Sequence, residues 1–105
     1  MITINIANDY TKTPGGRFIS EGDYSGEDFR ENVLKPKFFQ ALESDDQLTV
    51  ILDGGYGYAT SFLEEAFGGL AREVKNRKTK DIIIISEEEP QLVSKIQQYI
   101  KDALK

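Results

Sequence analysis

The chain has 105 residues, of which 39% are hydrophobic, 10% aromatic and 30% charged, and this composition excludes a disordered chain and fits one globular domain over residues 1–105. It contains no cysteine and no histidine, which excludes disulfides, thiolate nucleophiles, zinc-thiolate sites and the imidazole base of most hydrolases. With 13 basic and 18 acidic residues, its net charge of −5 disfavours direct nucleic-acid binding.

The hydropathy of the sequence also predicts the cellular localisation of the protein. No run of residues approaches the ~18 apolar positions that a membrane-spanning helix needs. The first residues lack the positive charge and apolar stretch that are typical of a secretory leader. We therefore expect a cytoplasmic protein that does not enter a membrane.

The N-terminal part of the chain carries strand and turn signals. Apolar and polar residues alternate over residues 1–6, which is typical of an edge strand with one face in water. Residues 8–16 contain a proline and a Gly-Gly pair, and favour a turn or a hairpin connection. A second short strand is predicted over residues 17–20, closed by turn residues at 21–23.

A helix is predicted to begin at Ser25, because Ser25 and Asp28 fit a capping box. Apolar residues at helical spacing continue to about Ser44. Pro36 interrupts this stretch, since proline has no N–H to donate inside a helix. Two short helices or one kinked helix would both fit the pattern.

The central part of the chain has the pattern of a strand, a glycine loop and a helix. Residues 48–52 are a nearly unbroken apolar run, as expected for a central strand that is covered on both faces. A glycine-rich loop over residues 53–60 leads to Ser61 and Glu64, a second capping box, from which a helix should run to about Asn76. The Gly-Gly pair inside this helix predicts close packing against the sheet.

The C-terminal part predicts a strand and a helix. Residues 81–86 are typical of a second buried strand. Three acids at 87–89 followed by Pro90 predict the first turn of a terminal amphipathic helix. The order of elements, approximately β-β-α-β-α-β-α, predicts an α/β fold with a mixed sheet, helices packed against it, and parallel last strands.

The glycine loop is the strongest candidate for chemistry. Loops between a strand and a helix can expose backbone N–H groups to a phosphate. Thr60 stands where a third glycine would be, and no Lys-Ser/Thr pair completes a P-loop. Glycines that allow a tight turn after a strand are the simpler explanation. Binding of a small phosphate or nucleotide ligand at residues 54–61 is kept as an alternative.

The remaining polar residues do not form a catalytic or metal-binding pattern. The acidic clusters lack calcium-loop spacing and are explained by capping and helix-dipole effects, so no metal site is predicted. Ser25, Ser61 and Ser86 are N-cap candidates rather than nucleophiles, because no histidine can activate them. Catalytic residues are therefore not predicted, and neither is a cofactor.

Two arginines and two tyrosines are candidates for recognition. Arg17 and Arg30 present planar forks that fit either a carboxylate of this chain or an acidic partner. Tyr56 and Tyr58 offer apolar area with a polar tip, which suits a recognition surface or a half-buried lid.

Four segments of the chain together form a specific set of motifs: Gly16-Arg17, Ser25 to Arg30, Asp53-Gly54-Gly55 and Ser61 to Leu70. This set resembles the STAS-like family of unknown function, small bacterial and phage-borne proteins related to anti-sigma-factor-antagonist domains. The resemblance spans nearly the whole chain. It implies a sheet of four or five strands flanked by three or four helices, no enzymatic activity, and signalling by protein contact. The family-motif positions in this chain are Arg17, Ser25, Gly26, Phe29 and Arg30.

The resemblance also implies where a partner binds. In the broader STAS relatives, the loop after the central strand and the start of the next helix contact the partner, and a serine there is phosphorylated by a histidine-kinase-like ATPase. Ser61 is the nearest match, although the relatives' Asp-Ser-Ser-Gly-like stretch reads Ala-Thr-Ser-Phe here. The expected contact residues are Gly55, Tyr56, Gly57, Tyr58, Thr60, Ser61, Phe62 and Glu65.

The predicted function is therefore that of a regulatory protein-interaction module. Its expected partner is a histidine-kinase-like ATPase, or a host regulatory or defence protein. An alternative from another class is an acidic, phage- or mobile-element-encoded inhibitor that occupies a basic groove of a nucleic-acid-binding protein; the net charge of −5 motivates it. The strand at residues 2–6 could in addition pair with a second copy of the chain.

Overall fold

Three short apolar segments form one parallel sheet in the order β1-β2-β3. The structure is a computed structural model that describes residues 1–105. Its strands are β1 (Ile2–Asn5), β2 (Leu48–Ile51) and β3 (Ile83–Ile85). The α/β class is confirmed, whereas the sheet is parallel rather than mixed and has three strands rather than four or five.

The strand expected at residues 17–20 is not formed, and this segment contains a 3₁₀ turn at Ile19–Glu21 instead. The reason is local hydrogen bonding. The Glu21 carboxylate accepts the N–H groups of Arg17 and Phe18, and the Glu27 carboxylate accepts that of Ile19. Backbone donors that a strand would offer to a neighbour are therefore bound to side chains.

Each of the two strand-to-strand crossovers contains one continuous helix with a wider π-helical turn in its middle. The first crosses from β1 to β2 and consists of α2 (Gly26–Phe29), a π segment (Arg30–Leu34) and α3 (Lys35–Glu43). The second crosses from β2 to β3 and consists of α4 (Thr60–Leu63), a π segment (Glu64–Gly68) and α5 (Gly69–Val74). Three further short elements and the terminal helix complete the fold: α1 (Ile6–Asp9), the 3₁₀ turns Ile19–Glu21 and Arg77–Asp81, and α6 (Gln91–Ala103).

The first crossover helix runs through Pro36 without a break, where two short helices or a kink were expected. Just before the proline, the N–H of Lys35 bonds to the carbonyl of Arg30, five residues back. Such a wider turn rearranges the backbone pairing close to a residue that has no N–H to donate.

All the helices pack on one face of the sheet. On that face Ile4, Val50 and Ile84 are buried and belong to a cluster of 20 core residues, to which the crossover helices and α6 also contribute. On the other face Ile51 and Ile83 are only half-buried, and Ile85 is 39% exposed. Residues 48–52 were expected to be covered on both faces: β2 is the central strand and Thr49 on this second face is only 5% exposed, but no helix packs there and Ile51 is half-buried. Two crossovers of the usual right hand in the strand order β1-β2-β3 place both helices on the same face.

The terminal helix α6 buries Leu92, Ile96 and Ile100 against the second crossover helix. It begins at Gln91 after Pro90, so the acids at 87–89 precede the helix and do not form its first turn. None of the helices combines the length and the apolar character that crossing a membrane requires.

Candidate functional site

The glycine loop follows β2 at the carboxyl end of the sheet. Gly54 and Gly57 have φ angles of 100° and 119°, which residues with a side chain rarely adopt. The N–H of Gly54 donates to Glu88 Oε1 over 2.7 Å, and that of Tyr56 donates to the carbonyl of Lys12 over 2.9 Å. The loop is therefore fixed to neighbouring segments on both sides, and two of its N–H groups are occupied.

The two tyrosines of this loop point in different directions. Tyr56 is 85% exposed. Tyr58 is half-buried, and its hydroxyl donates to the Leu52 carbonyl over 2.8 Å. Burial, together with the charge of Asp53, raises the pKa of Tyr58 well above its ordinary value. Tyr58 therefore matches the prediction of a half-buried lid and is bound to the fold, whereas Tyr56 is the aromatic side chain of this loop that is accessible to a partner.

A pocket of about 160 Å³ beside the loop is lined in part by Asp53, Glu88 and Glu89. The Asp53 carboxylate accepts the N–H groups of Glu87 and Glu88, and these bonds hold its pKa below the ordinary value. An entering phosphate would face carboxylates and find two loop N–H groups already bound. The geometry therefore counts against the phosphate or nucleotide alternative. No group of three or more acidic side chains is arranged to hold a metal ion.

The predicted contact residues divide into accessible and inaccessible groups. Phe62 is fully buried, with its ring 5.8 Å from those of Phe29 and Tyr58, so its prediction as a contact residue is corrected. The Glu65 side chain is only 12% exposed and is bound by two arginines. The accessible members of the predicted set are Tyr56 and Thr60, with partly exposed Gly55, Gly57, Tyr58 and Ser61.

Of the three serines predicted as N-caps, Ser25 is confirmed. Its Oγ accepts the N–H of Asp28 over 3.0 Å. Ser61 is not a cap, because the helix begins one residue earlier, at Thr60, and the capping position is held by Ala59. Ser86 accepts the N–H of Glu89 over 3.0 Å, but this closes a turn before α6 rather than the helix itself.

Arg17 and Arg30, which the resemblance predicts to be family-motif residues, both pair with carboxylates of the second crossover helix. Arg17 Nη1 lies 2.7 Å from Glu64 Oε1 and 3.1 Å from Glu65 Oε1. Arg30 Nη1 donates to Glu65 Oε2 over 2.5 Å and to the Glu65 carbonyl over 2.9 Å. The sequence left two alternatives for these arginines, a carboxylate of this chain or an acidic partner. The structure shows that both pair with carboxylates of this chain.

Two glycines allow the crossover helices to approach each other. A Cβ on Gly69 would lie 2.5 Å from Arg30 Nη1, and a Cβ on Gly26 would collide with the carbonyl of Phe62. Gly68 faces Glu64 and Arg72. The expectation that the Gly-Gly pair packs against the sheet is therefore wrong: these glycines make room for side chains of the helices. Gly26 and Arg30 are thus structural residues of the helix-to-helix contact, and Ser25 is the N-cap of the first crossover helix.

Sequence reasoning missed three exposed apolar residues on the long loop that precedes α2. Phe18, Ile19 and Tyr24 are 44%, 54% and 46% exposed. The loop is held in place by the Glu21 and Glu27 carboxylates, which accept its N–H groups over 2.8 to 3.1 Å. No local signal predicted their exposure, because the segment 17–20 is as long as β1 and β2, and the bonds of its N–H groups to Glu21 and Glu27 appear only in the structure.

A comparison with protein families finds that the model of a STAS-like domain of unknown function matches residues 25–92. The matched range begins at the Ser25 cap and includes both crossover helices, β2, the glycine loop and β3. No curated protein and no solved structure matches the chain. On the strength of the family match, which covers well over half of its length, the chain belongs to the STAS-like domains of unknown function.

Proposed function

We propose that the chain is a regulatory protein-interaction module, without enzymatic activity of its own, that binds a protein partner through the loops at the carboxyl end of the sheet. The observation that carries this proposal is Tyr56, which is 85% exposed on a loop that is bound to Lys12 on one side and to Glu88 on the other. An aromatic side chain on an ordered loop loses little entropy on binding, and tyrosine is common at the centre of interfaces.

The loop that precedes α2 extends the proposed surface. The hydrogen bond from Tyr56 N–H to the Lys12 carbonyl joins this loop to the glycine loop. We give the name loop surface to five exposed residues: Phe18, Ile19 and Tyr24 on the loop before α2, Tyr56 on the glycine loop, and Thr60 at the start of α4. Two exposed acids, Glu21 and Asp23, stand among its apolar side chains. A partner with an apolar pocket and basic residues at its rim would fit this combination.

The polar groups at this end of the sheet support a binding role because they already have structural partners. Asp53 holds the turn at Glu87 and Glu88, and the Tyr58 hydroxyl binds the Leu52 carbonyl. Groups that maintain a rigid surface in this way suit recognition better than proton transfer, which needs a free acid or base facing the substrate.

We propose that the regulatory step is at Ser61, the nearest match in this chain to the serine that is phosphorylated in the broader STAS relatives. Ser61 lies in the first turn of the second crossover helix, one helical turn before Glu64 and Glu65. A phosphate there is favoured by the helix dipole but would repel both carboxylates and compete for Arg17. Release of Arg17 would loosen the loop that carries Phe18 and Ile19. A histidine-kinase-like ATPase, or a host regulatory or defence protein, is the partner we propose.

Capture of the partner from the native host tests the proposal. Tagged full-length chain should retain a partner that Tyr56→Ala loses at least tenfold. Phe39→Ala is the matched control, since Phe39 is an aromatic residue 44% exposed on α3, outside the loop surface. If Tyr56→Ala and Phe39→Ala capture equally well, the loop surface is not the contact.

A salt titration of the captured complex distinguishes the acidic-inhibitor alternative. Contacts dominated by apolar side chains change little between low and high ionic strength, so we expect an affinity within a few-fold across the series. A steep loss of affinity with salt would instead indicate a charge-dominated mimic that occupies a basic groove.

A further inference from the structure

No helix of the chain packs on the second face of the sheet, which carries three isoleucines. The residues of the strands that point away from the helices form what we call the second face. They lie in two rows across the sheet: Thr3, Thr49 and Ile83 in one, and Asn5, Ile51 and Ile85 in the other. Ile51, Ile83 and Ile85 lie outside the core cluster and do not pack against it. Parallel sheets occur almost only with both faces covered. This open face is therefore unusual for an all-parallel sheet.

The strand sequences also indicate that this face is buried when the protein works. A strand with one wet face alternates apolar and polar residues, as β1 does. By contrast, β3 consists of three isoleucines, and β2 places Ile51 on the second face. The continuous apolar run of β3 is typical of a strand that is covered on both sides.

Thr49 supplies an independent observation. It lies at the middle of the second face, between Thr3 and Ile83, and is only 5% exposed. Its hydroxyl is buried and has no hydrogen-bond partner. Because the Thr49 side chain is enclosed by its neighbours in the sheet, the middle of the second face presents no accessible polar group, which suits contact with an apolar surface.

The size of the second face favours a helix over a second copy of the chain. Three strands about 4.8 Å apart with about four residues each give a face of roughly 14 Å by 13 Å, or about 180 Å². A stable dimer interface buries about 800 Å² on each partner. One helix about 10 Å wide covers the face with about three turns.

Charge at the end of the strands indicates which helix would fit. The Asp9 carboxylate accepts the N–H of Asn5 over 2.8 Å, which places it at the carboxyl end of β1. Glu87 is exposed two residues after the end of β3. A helix that crosses the face would therefore meet carboxylates at this edge, and basic residues at its matching end would pair with them.

From these observations we infer that the second face is a docking site for an amphipathic helix of a partner protein, with an aliphatic stripe on the sheet and lysines or arginines at the end near Asp9 and Glu87. The site is separate from the loop surface and does not depend on the function proposed for it.

Photocrosslinking from a single cysteine tests the inference, since the natural chain has no cysteine. Full-length Ile85→Cys carries a benzophenone-maleimide label on the second face, and Phe39→Cys carries it on α3 as the matched control. After irradiation in native-host extract, the crosslinked peptides are sequenced. We expect the label at residue 85 to join a peptide with aliphatic residues at helical spacing and basic residues at one end, which the label at residue 39 does not reach.

Competition supplies the second readout. Excess unlabelled chain should suppress the crosslink at residue 85, and unlabelled Ile85→Asp should need at least a tenfold higher concentration to do so. Unlabelled Tyr56→Ala should compete as well as the natural chain, which separates this site from the loop surface. Crosslinks to this chain itself would assign the face to a second copy, and either these or the absence of a residue-85-specific peptide would overturn the inference.

Discussion

Arg30 lies directly against Gly69, with its Nη1 2.5 Å from the position that a Cβ on residue 69 would occupy. The guanidinium is buried at this point and bonded to both the carboxylate and the carbonyl of Glu65. Because this contact joins the two crossover helices, the glycine is required by a side chain 39 residues away in the sequence.

The substitution Gly69→Ala should destabilise the protein by roughly 2 kcal/mol. The new methyl group displaces Arg30 from Glu65, and this loss exceeds the gain of about 1 kcal/mol in helix propensity. Gly68→Ala is the control, since its Cβ would meet the partly exposed and movable ends of Glu64 and Arg72. Urea unfolding should find Gly68→Ala neutral or stabilised; equal effects at the two glycines would contradict the role given to Arg30.

Substitution of Arg30 should lower the free energy of unfolding far more than substitution of the neighbouring Arg72. Arg30→Ala leaves the nearly buried Glu65 carboxylate without its closest partner, and such losses cost about 3–5 kcal/mol. Arg72 is 44% exposed, so Arg72→Ala should cost about 0–1 kcal/mol. Thermal and urea unfolding of the two variants measure the difference. A cost below about 1 kcal/mol for Arg30→Ala would show that the network is not important for stability.

The two serines at the starts of the crossover helices should respond differently to alanine. Ser25→Ala removes an N-cap hydrogen bond of 3.0 Å and should cost about 1 kcal/mol. Ser61→Ala removes no cap, so its effect should stay within about 0.5 kcal/mol. Urea unfolding compares the pair directly, and a large loss in Ser61→Ala would mean that Ser61 has a structural bond that the fold does not show.

Thr49→Val should stabilise the isolated chain by roughly 1 kcal/mol. The substitution replaces a buried hydroxyl that has no hydrogen-bond partner by a methyl group of nearly the same size. Thermal unfolding of the two purified proteins measures the change. Destabilisation by Thr49→Val would indicate that the hydroxyl has a bond within the chain.

Stability should fall as the solution is acidified from about pH 4.5 toward pH 2. The hydrogen bond from Lys35, followed by that from Arg30, lowers the pKa of Glu31 from 4.5 to about 2. Since the pKa is lower in the folded state, this contribution is present above the unfolded pKa and is lost as pH falls through the folded pKa. Urea unfolding across this pH range should show that the free energy of unfolding depends less steeply on pH in Glu31→Gln than in the natural chain. Glu43→Gln is the control, because Glu43 forms no ion pair, and a slope that is unchanged in Glu31→Gln would contradict the assignment.

The parts of the fold that depend on local patterns were predictable. Alternating or continuous apolar residues marked all three strands, and the Ser25 cap was predicted from residues within one helical turn. The segment at 17–20 was mispredicted because its N–H groups bind side chains of Glu21 and Glu27, a choice that strand propensity does not encode.

In the candidate site, the sequence predicted the exposure of residues on the glycine loop but not the burial that depends on tertiary packing. Tyr56 was correctly placed on an open loop, but Phe62, only six residues further along, is turned into the core by the packing of Phe29 and Tyr58. The contact of Arg30 with Gly69 joins residues on different helices, so no local pattern predicts it. The open second face follows from the placement of both crossover helices on one side, which the strand sequences alone do not show.

Amide hydrogen exchange of the full chain, free and in complex with the partner that it captures, tests the central claim most directly. The account predicts slower exchange in the complex at residues 15–25 and 53–61, with α3 unchanged. Protection confined to α3 and the 3₁₀ turn at residues 77–81, with both loops exchanging as in the free chain, would contradict it.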